Sequence, residues 1–164
     1  MDTTTVVVRP VEEADAESLG RVHALCWHET YDHLLSEAAL SQLRPQRLAA
    51  MWRRFTTQGA EYRQVVALVD GEVVGFAGSG PARDENAPAA HELYFMYLLE
   101  DKHGSGIGQK LFDAVVDAGP SYLWVAAVNP RAHAFYARNG YVADGHEQVQ
   151  EVLGEQLHEV RLVR

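Results

Sequence analysis

The chain has a single cysteine, Cys26, among 164 residues. A lone thiol excludes an internal disulfide and any zinc site built from several thiolates, and it fits a reducing cytoplasm as the expected location. Long hydrophobic runs are missing too. The longest near-apolar stretches, Val65 to Val69 and Tyr122 to Val128, fall far short of the roughly 20 residues a membrane span requires. The opening Met1-Asp2-Thr3-Thr4-Thr5 offers neither the basic n-region nor the apolar core of a signal peptide, and no membrane partner is expected. Positive charge is scarce: 14 Lys and Arg stand against 23 Asp and Glu, a formal net charge of −9. That balance disfavours duplex nucleic acid as a partner and mildly favours small or cationic ligands.

What is present suffices for a core. With 47% hydrophobic and 23% charged residues, the composition is that of a globular protein rather than a disordered or fibrous one. No internal repeat, charge block or linker divides residues 1–164, which read as one domain. Val6-Val7-Val8 is a short β-branched strand, and Asp15 stands where it can cap a helix carrying Leu19, Val22, His23 and Cys26 on its apolar side. The stretch from Ala38 to Thr57 is amphipathic and broken at Pro45, which predicts two helical pieces. Arg63 to Val69 and Glu72 to Ser79 flank Asp70-Gly71, a dipeptide that supplies positive φ at a two-residue hairpin turn.

Pro81 to Ala90 reads as a loop before a strand, His91 to Leu99. A helix follows from about Gly106 to Ala118, with Ile107, Leu111, Phe112 and Val115 on one side. Tyr122 to Val128 is a strand buried on both faces, Pro130 to Arg138 a short helix closed by Asn139-Gly140, and Tyr141 to Val163 two strands about a turn near Gly154. The order β-α-α-β-β-β-α-β-α-β-β predicts an α/β fold, a mixed sheet with helices on its faces.

Chemistry concentrates in two segments. In the first, a strand ending Met96-Tyr97-Leu98 passes through His103-Gly104-Ser105-Gly106-Ile107-Gly108-Gln109 into a helix. Alternate glycines let backbone N–H groups point inward, and the helix N-terminus adds roughly half a positive charge, an arrangement suited to a pyrophosphate. Glycines at such a turn also serve simply to make it. No Gly-Lys-Ser/Thr follows, and Gln109 stands where a dinucleotide fingerprint needs its third glycine. The second segment is Asn129-Pro130-Arg131-Ala132-His133-Ala134-Phe135-Tyr136, followed by Gly140-Tyr141.

Together, in this order, the two segments resemble the GNAT superfamily of acetyl-CoA-dependent N-acetyltransferases. The opening Arg9-Pro10, Asp15-Ala16 and Leu19 resemble that family's first strand and helix, so the resemblance spans nearly the whole chain. It implies a mostly antiparallel central sheet flanked by helices, with acetyl-CoA as co-substrate and no metal. It implies further that the backbone of Met96, Tyr97 and Leu98 pairs with the pantetheine arm. The loop from Gly104 through Ser105, Gly106, Ile107 and Gly108 to Gln109 would hold the pyrophosphate, and Asn129 would steady the pantetheine or thioester end. Tyr136 would protonate the leaving thiolate. Glu92 occupies the position where part of the family keeps a carboxylate general base; it reads almost equally as a strand-edge carboxylate facing water. His103 departs from the Arg or Gln that usually opens the loop, and would offer phosphate a neutral imidazole with less charge.

The resemblance therefore implies an N-acetyltransferase in which a primary amine attacks bound acetyl-CoA directly; it does not identify the acceptor, for which the net charge of −9 mildly favours a cationic small molecule such as a polyamine, an aminoglycoside-like compound or an amino-acid derivative, a peptide N-terminus or lysine being the alternative. The rival is an acyl-CoA-binding sensor that does not turn over. A homodimer is compatible with either. His23, His28 and His33 recur at a spacing of five, which scatters them around a helix and suits surface or satisfied histidines better than shared metal ligation. Trp27 and Tyr31 lie one helical turn apart and read mainly as core, with substrate contact as the other possibility.

Overall fold

A computed structural model describes residues 3–164; the reading of Met1 and Asp2 lies outside them. The hairpin expected about Asp70-Gly71 forms between β2 (Arg63–Val69) and β3 (Glu72–Pro81), with φ of 50° and 82° at the two turn residues. Both values are positive, as this turn demands. Strand β1 (Val6–Pro10) lies along β2, pairing Arg9 with Val66 and Pro10 with Val65. The strand outlasts the valine run because a proline is tolerated on a sheet edge.

Helix α1 (Ala16–Tyr31) follows a 3-10 turn at Glu13–Asp15. Asp15 does not cap it as expected. Its carboxylate instead accepts Arg9 Nη1 and Nη2 at 2.8 and 2.9 Å and the Glu12 N–H at 2.8 Å. The guanidinium hydrogen bonds, foremost, hold Asp15 below the usual carboxylate range. Next come α2 (Glu37–Leu40), capped by Ser36 Oγ on the Ala39 N–H, and α3 (Pro45–Phe55). Pro45 begins the second piece, where a missing N–H costs nothing. Gly20 lets α1 and α3 touch: a Cβ there would sit 2.3 Å from the Pro45 carbonyl oxygen.

Strand β4 (His91–Leu98) precedes α4 (Ile107–Val115), which stops short of Ala118 because Val116 turns extended and buries its side chain. Strand β5 (Tyr122–Ala126) is shorter than expected, with Val128 already 58% exposed on the way to α5 (Pro130–Arg138). The tail forms β6 (Val142–Val152) and β7 (Glu155–Val163).

The sheet runs β1-β2-β3-β4-β5-β7-β6, antiparallel throughout except between β4 and β5. Alternation along β2 sends Val65 and Ala67 to one face with Leu111, Phe112 and Val115 of α4, and Val66 to the other with Leu19, Cys26 and Trp52. The join between β4 and β5 is brief. These strands pair only at Glu92 with Tyr122 and Leu93 with Leu123. At the next residue the β3–β4 register shifts: Ser79 pairs with Leu93 but Gly78 with Phe95, leaving Tyr94 extra. A bulge bends and twists its strand, so β4 leaves β5 directly after Leu93.

Candidate active site

Past Leu93 the β5-facing edge of β4 has no paired strand among the described residues. A groove of about 400 Å³ opens there, bounded by Met96, Tyr97 and Leu98 on one side and by Asn129 and Tyr136 on the other. Gly104, Gly106, Gly108 and Gln109 close one end. Gly104 and Gly106 take φ of 79° and 85°, and a Cβ on either would meet nothing within 4 Å. Their need for glycine is thus conformational rather than spatial. The N–H groups in the first turn of α4 have no intrahelical acceptor and carry the positive end of its dipole. Ser105 Oγ approaches the Ile107 N–H at 3.4 Å, leaving those of Gly108 and Gln109 to the groove wall.

The side chains around this end have partners of their own. Ser105 lies outside the groove wall and donates to the Lys102 carbonyl, while Ile107 is buried in the core, so either could contribute only backbone. The Gln109 amide is held by Asp113 and Asn139 at 2.9 and 2.8 Å. Asn129 Oδ1 caps α5 by accepting the Ala132 N–H at 3.2 Å; its Nδ2 is the group left to face the groove. His103 lines this end of the groove as well. Its Nε2 lies 3.0 Å from the Leu98 carbonyl oxygen, and Nδ1 is buried without a partner among the described residues. The imidazole ties the loop to β4 through Nε2 even as it lines the groove. Cationic side chains reach the groove from α5, where Arg131 and Arg138 line it. Sequence reading passed over both; the signal was that they lie within the one short helix that Asn129 caps.

Tyr136 is buried, its ring edge-on to Phe135 and Tyr141, and it also lines the groove. Burial, foremost, pushes its phenol well above the usual tyrosine value, and no hydrogen bond contributes. Between this groove and the next stands a hydroxyl pair. Tyr31 and Tyr97 approach to 2.7 Å, burial pushing Tyr31 up to about 12 and Tyr97 well above its ordinary value.

Tyr97 also lines a second groove, of about 920 Å³, between the α1–α3 layer and the β5–β7–β6 wing. Trp27 and Tyr31 both belong to it, their rings 4.7 Å apart, and the buried Trp27 indole N–H has no acceptor among the described residues. Glu92 is 1% exposed, so it is not a strand-edge carboxylate facing water. Its Oε1 accepts the Arg83 N–H at 3.0 Å, Arg83 Nε at 3.3 Å and the Tyr122 hydroxyl at 2.9 Å, and its Oε2 accepts Arg83 Nη2 at 2.8 Å. With these contacts the carboxylate anchors the loop after β3; little of it is left to meet an amine. Asp84, next in that loop, accepts Trp124 Nε1 and Arg161 Nη1 at 3.0 and 3.2 Å. A segment that reads as a spacer therefore forms part of the groove.

One carboxylate in this groove was not foreseen. Glu159 on β7, opposite Ala126, is half-buried, and burial raises its pKa despite a hydrogen bond from Gln148 and the attraction of Arg83. Cys26 offers no nucleophile: it is buried, and desolvation, with Glu29 adding, pushes its thiol up to about 12. His23 turns inward, its Nδ1 accepting Trp52 Nε1 at 3.2 Å, whereas His33 sits outside beside Asp32. Among the described residues no helix is long and apolar enough to cross a membrane.

Comparison with known proteins agrees with this architecture. Residues 22–141 match the model of the acetyltransferase (GNAT) family. An uncharacterized N-acetyltransferase of Bacillus subtilis (strain 168), YuaI, is 30% identical over 131 residues, covering 76% of this chain and 74% of that protein. The PaiA N-acetyltransferase of Thermoplasma acidophilum, solved in complex with coenzyme A, superposes with a TM-score of 0.64 at 19% identity, covering 95% of this chain and 98% of that one. Arabidopsis thaliana NAA60, solved with a bisubstrate analogue, gives 0.67 at 18% identity, with 97% and 98% covered. At these identities the two structures establish likeness of fold.

Proposed function

The chain belongs to the GNAT family of acetyltransferases, and from that premise we propose that it transfers the acetyl group of acetyl-CoA to a primary amine by direct attack within a ternary complex. The observation that carries this reading is the parting of β4 from β5 after Leu93, above a groove where the glycine-led start of α4 meets Asn129 and Tyr136. An extended amide-bearing arm suits the unpaired edge at Met96 to Leu98, as an added strand would. Its phosphates suit the α4 terminus together with Arg131 and Arg138. Acetyl-CoA, once bound, supplies the activated thioester.

The remaining chemistry falls to the chain. A donor must meet the thiolate as it leaves, and Tyr136 lines the groove with its phenol kept protonated by burial. An N–H on the unpaired part of β4 can stabilise the oxyanion. The amine must be neutral to attack and gives up its proton to solvent, and in this reading Glu92 enters as a positioning residue for Arg83 rather than as the base. The test measures free CoA release over a panel of amines, alongside thermal stabilisation by acetyl-CoA, NAD and ATP. Expected are concentration-dependent stabilisation by acetyl-CoA far exceeding the other two and CoA release with at least one amine. Stabilisation without release from any amine marks a binding module instead, and equal stabilisation by ATP removes the acetyl-CoA assignment.

A further inference from the structure

The larger groove has an uneven charge pattern set in aromatic walls. Trp27, Trp52, Trp124, Tyr62, Tyr94 and Phe95 supply much of its lining. Among its carboxylates, Glu92 is already paired with Arg83 and Asp84 with Arg161, while Glu151 is exposed. Glu159 differs from these. It is half-buried, makes one side-chain hydrogen bond among the described residues, from Gln148 Nε2 at 2.9 Å, and forms no salt bridge there.

We propose that the acceptor is a monoamine carried on a flat aromatic or similarly bulky apolar body, and that Glu159 receives its ammonium group, which gives up its proton to solvent before the neutral amine attacks. The acetyl-transfer step rests on the function proposed above; the recognition does not. An ammonium leaving water requires an opposite charge, and Glu159 is the partly buried carboxylate of this lining with no arginine in salt-bridge contact, Arg83 acting on it only from farther off. Aromatic faces add attraction for the cation and take up its apolar body. A polycation finds only the exposed, water-screened Glu151 for its second charge, and meets the Arg83 guanidinium, which lies over the Tyr94 ring at 4.0 Å with its side chain 61% exposed. A polyhydroxylated amine would set hydroxyls against aromatic walls, and of the groove's glutamines Gln58 and Gln64 already bond each other and Gln148 bonds Glu159. The acceptor class therefore narrows from the polyamines and aminoglycoside-like compounds that net charge suggests.

All the tryptophans of the chain, Trp27, Trp52 and Trp124, line this groove, so intrinsic fluorescence reports occupancy without any turnover. The full chain is titrated with 2-phenylethylamine, spermidine and a short peptide amine, and the same series is repeated with Glu159→Gln. Saturable binding of 2-phenylethylamine at least about tenfold tighter than the other two, weakened about tenfold or more in Glu159→Gln, is the expected result. Tighter binding of spermidine or the peptide overturns the proposal, as does unchanged affinity in a folded Glu159→Gln. Should that variant not fold, the wild-type ranking decides. CoA release read in parallel separates the two claims. Release from spermidine with no response to 2-phenylethylamine keeps the transferase and sinks this acceptor; Glu159-dependent binding of 2-phenylethylamine without release from any amine does the reverse.

Discussion

Glu92 and Arg83 form an ion pair, Oε2 to Nη2 at 2.8 Å, in which the carboxylate is almost fully buried and the guanidinium is open to solvent on one side. The two halves are thus unequal. Arg83→Ala strands a buried charge with Tyr122 as its remaining side-chain donor, whereas Glu92→Gln leaves an arginine that water can reach. Breaking a fully buried pair costs about 3 to 5 kcal/mol; with solvent able to enter where Arg83 was, about 2 kcal/mol is expected. Urea denaturation should rank Arg83→Ala as the more damaging change, with part of the loss recovered in the double variant. Glu92→Gln should also keep the shape of the pH–rate profile. A shifted acid limb would return Glu92 to the role of general base.

Tyr136→Phe keeps the ring packed against Phe135 and Tyr141 and removes only the hydroxyl at the groove. Burial raises the phenol pKa above its ordinary value near 10, further from the roughly 8.5 of a thiol, so a hydrogen bond to the departing sulfur contributes more than full proton transfer. On the proposed mechanism kcat falls by about 10² or more while acetyl-CoA affinity is nearly unchanged. Steady-state kinetics with the true acceptor decides, and wild-type turnover would make Tyr136 a core residue alone.

Local chemistry was legible before the fold was known, and long-range pairing was not. Asp70-Gly71 announces its hairpin because few other residues accept positive φ twice in succession. The glycine loop and the Asn129 segment were found for similar reasons, and both line one groove. Nothing local says that β7 inserts between β5 and β6, and Glu159 reaches the larger groove only through that insertion. The bulge at Tyr94 is likewise a property of the β3–β4 register. Arg83 looked like loop charge because its partner follows at a separation that matches no helix or strand period. The contact of His103 Nε2 with the Leu98 carbonyl is equally silent in the sequence, although the ring lines the groove where its type suggested.

The tie between His103 and Leu98 bears on how the loop holds phosphate. If His103 were a weak phosphate ligand, His103→Arg would tighten acetyl-CoA binding; tied to Leu98, it should not, and losing the tie should loosen the loop. Charge for the phosphates is expected instead from Arg131 and Arg138. Arg131→Ala and Arg138→Ala should each weaken acetyl-CoA binding by about three- to tenfold at low salt and less at high salt, because exposed charges are screened. Calorimetric titration at two ionic strengths measures this. Tighter binding by His103→Arg with no effect from either alanine would place the anion beside residue 103.

His23 provides a test in stability rather than activity. Burial lowers its pKa from 6.5 to about 4, and protonating Nδ1 would also end its acceptance of the Trp52 N–H. Between those two values the unfolded chain binds a proton that the folded chain refuses. Stability from the neutral imidazole is therefore complete above pH 6.5, declines as pH falls, and is lost by about pH 4. The full loss is on the order of 3 kcal/mol, since each pH unit between the two values is worth about 1.4 kcal/mol. Glu159 acts oppositely, since its raised pKa makes the folded state gain stability as pH falls, so the difference between variants is more informative than either curve. His23→Gln stays neutral at every pH and can still accept from Trp52. Its urea midpoint should trail wild type most at pH 7 and close the gap steadily toward pH 4.5; parallel curves over that range would mean that His23 takes up a proton as readily folded as unfolded.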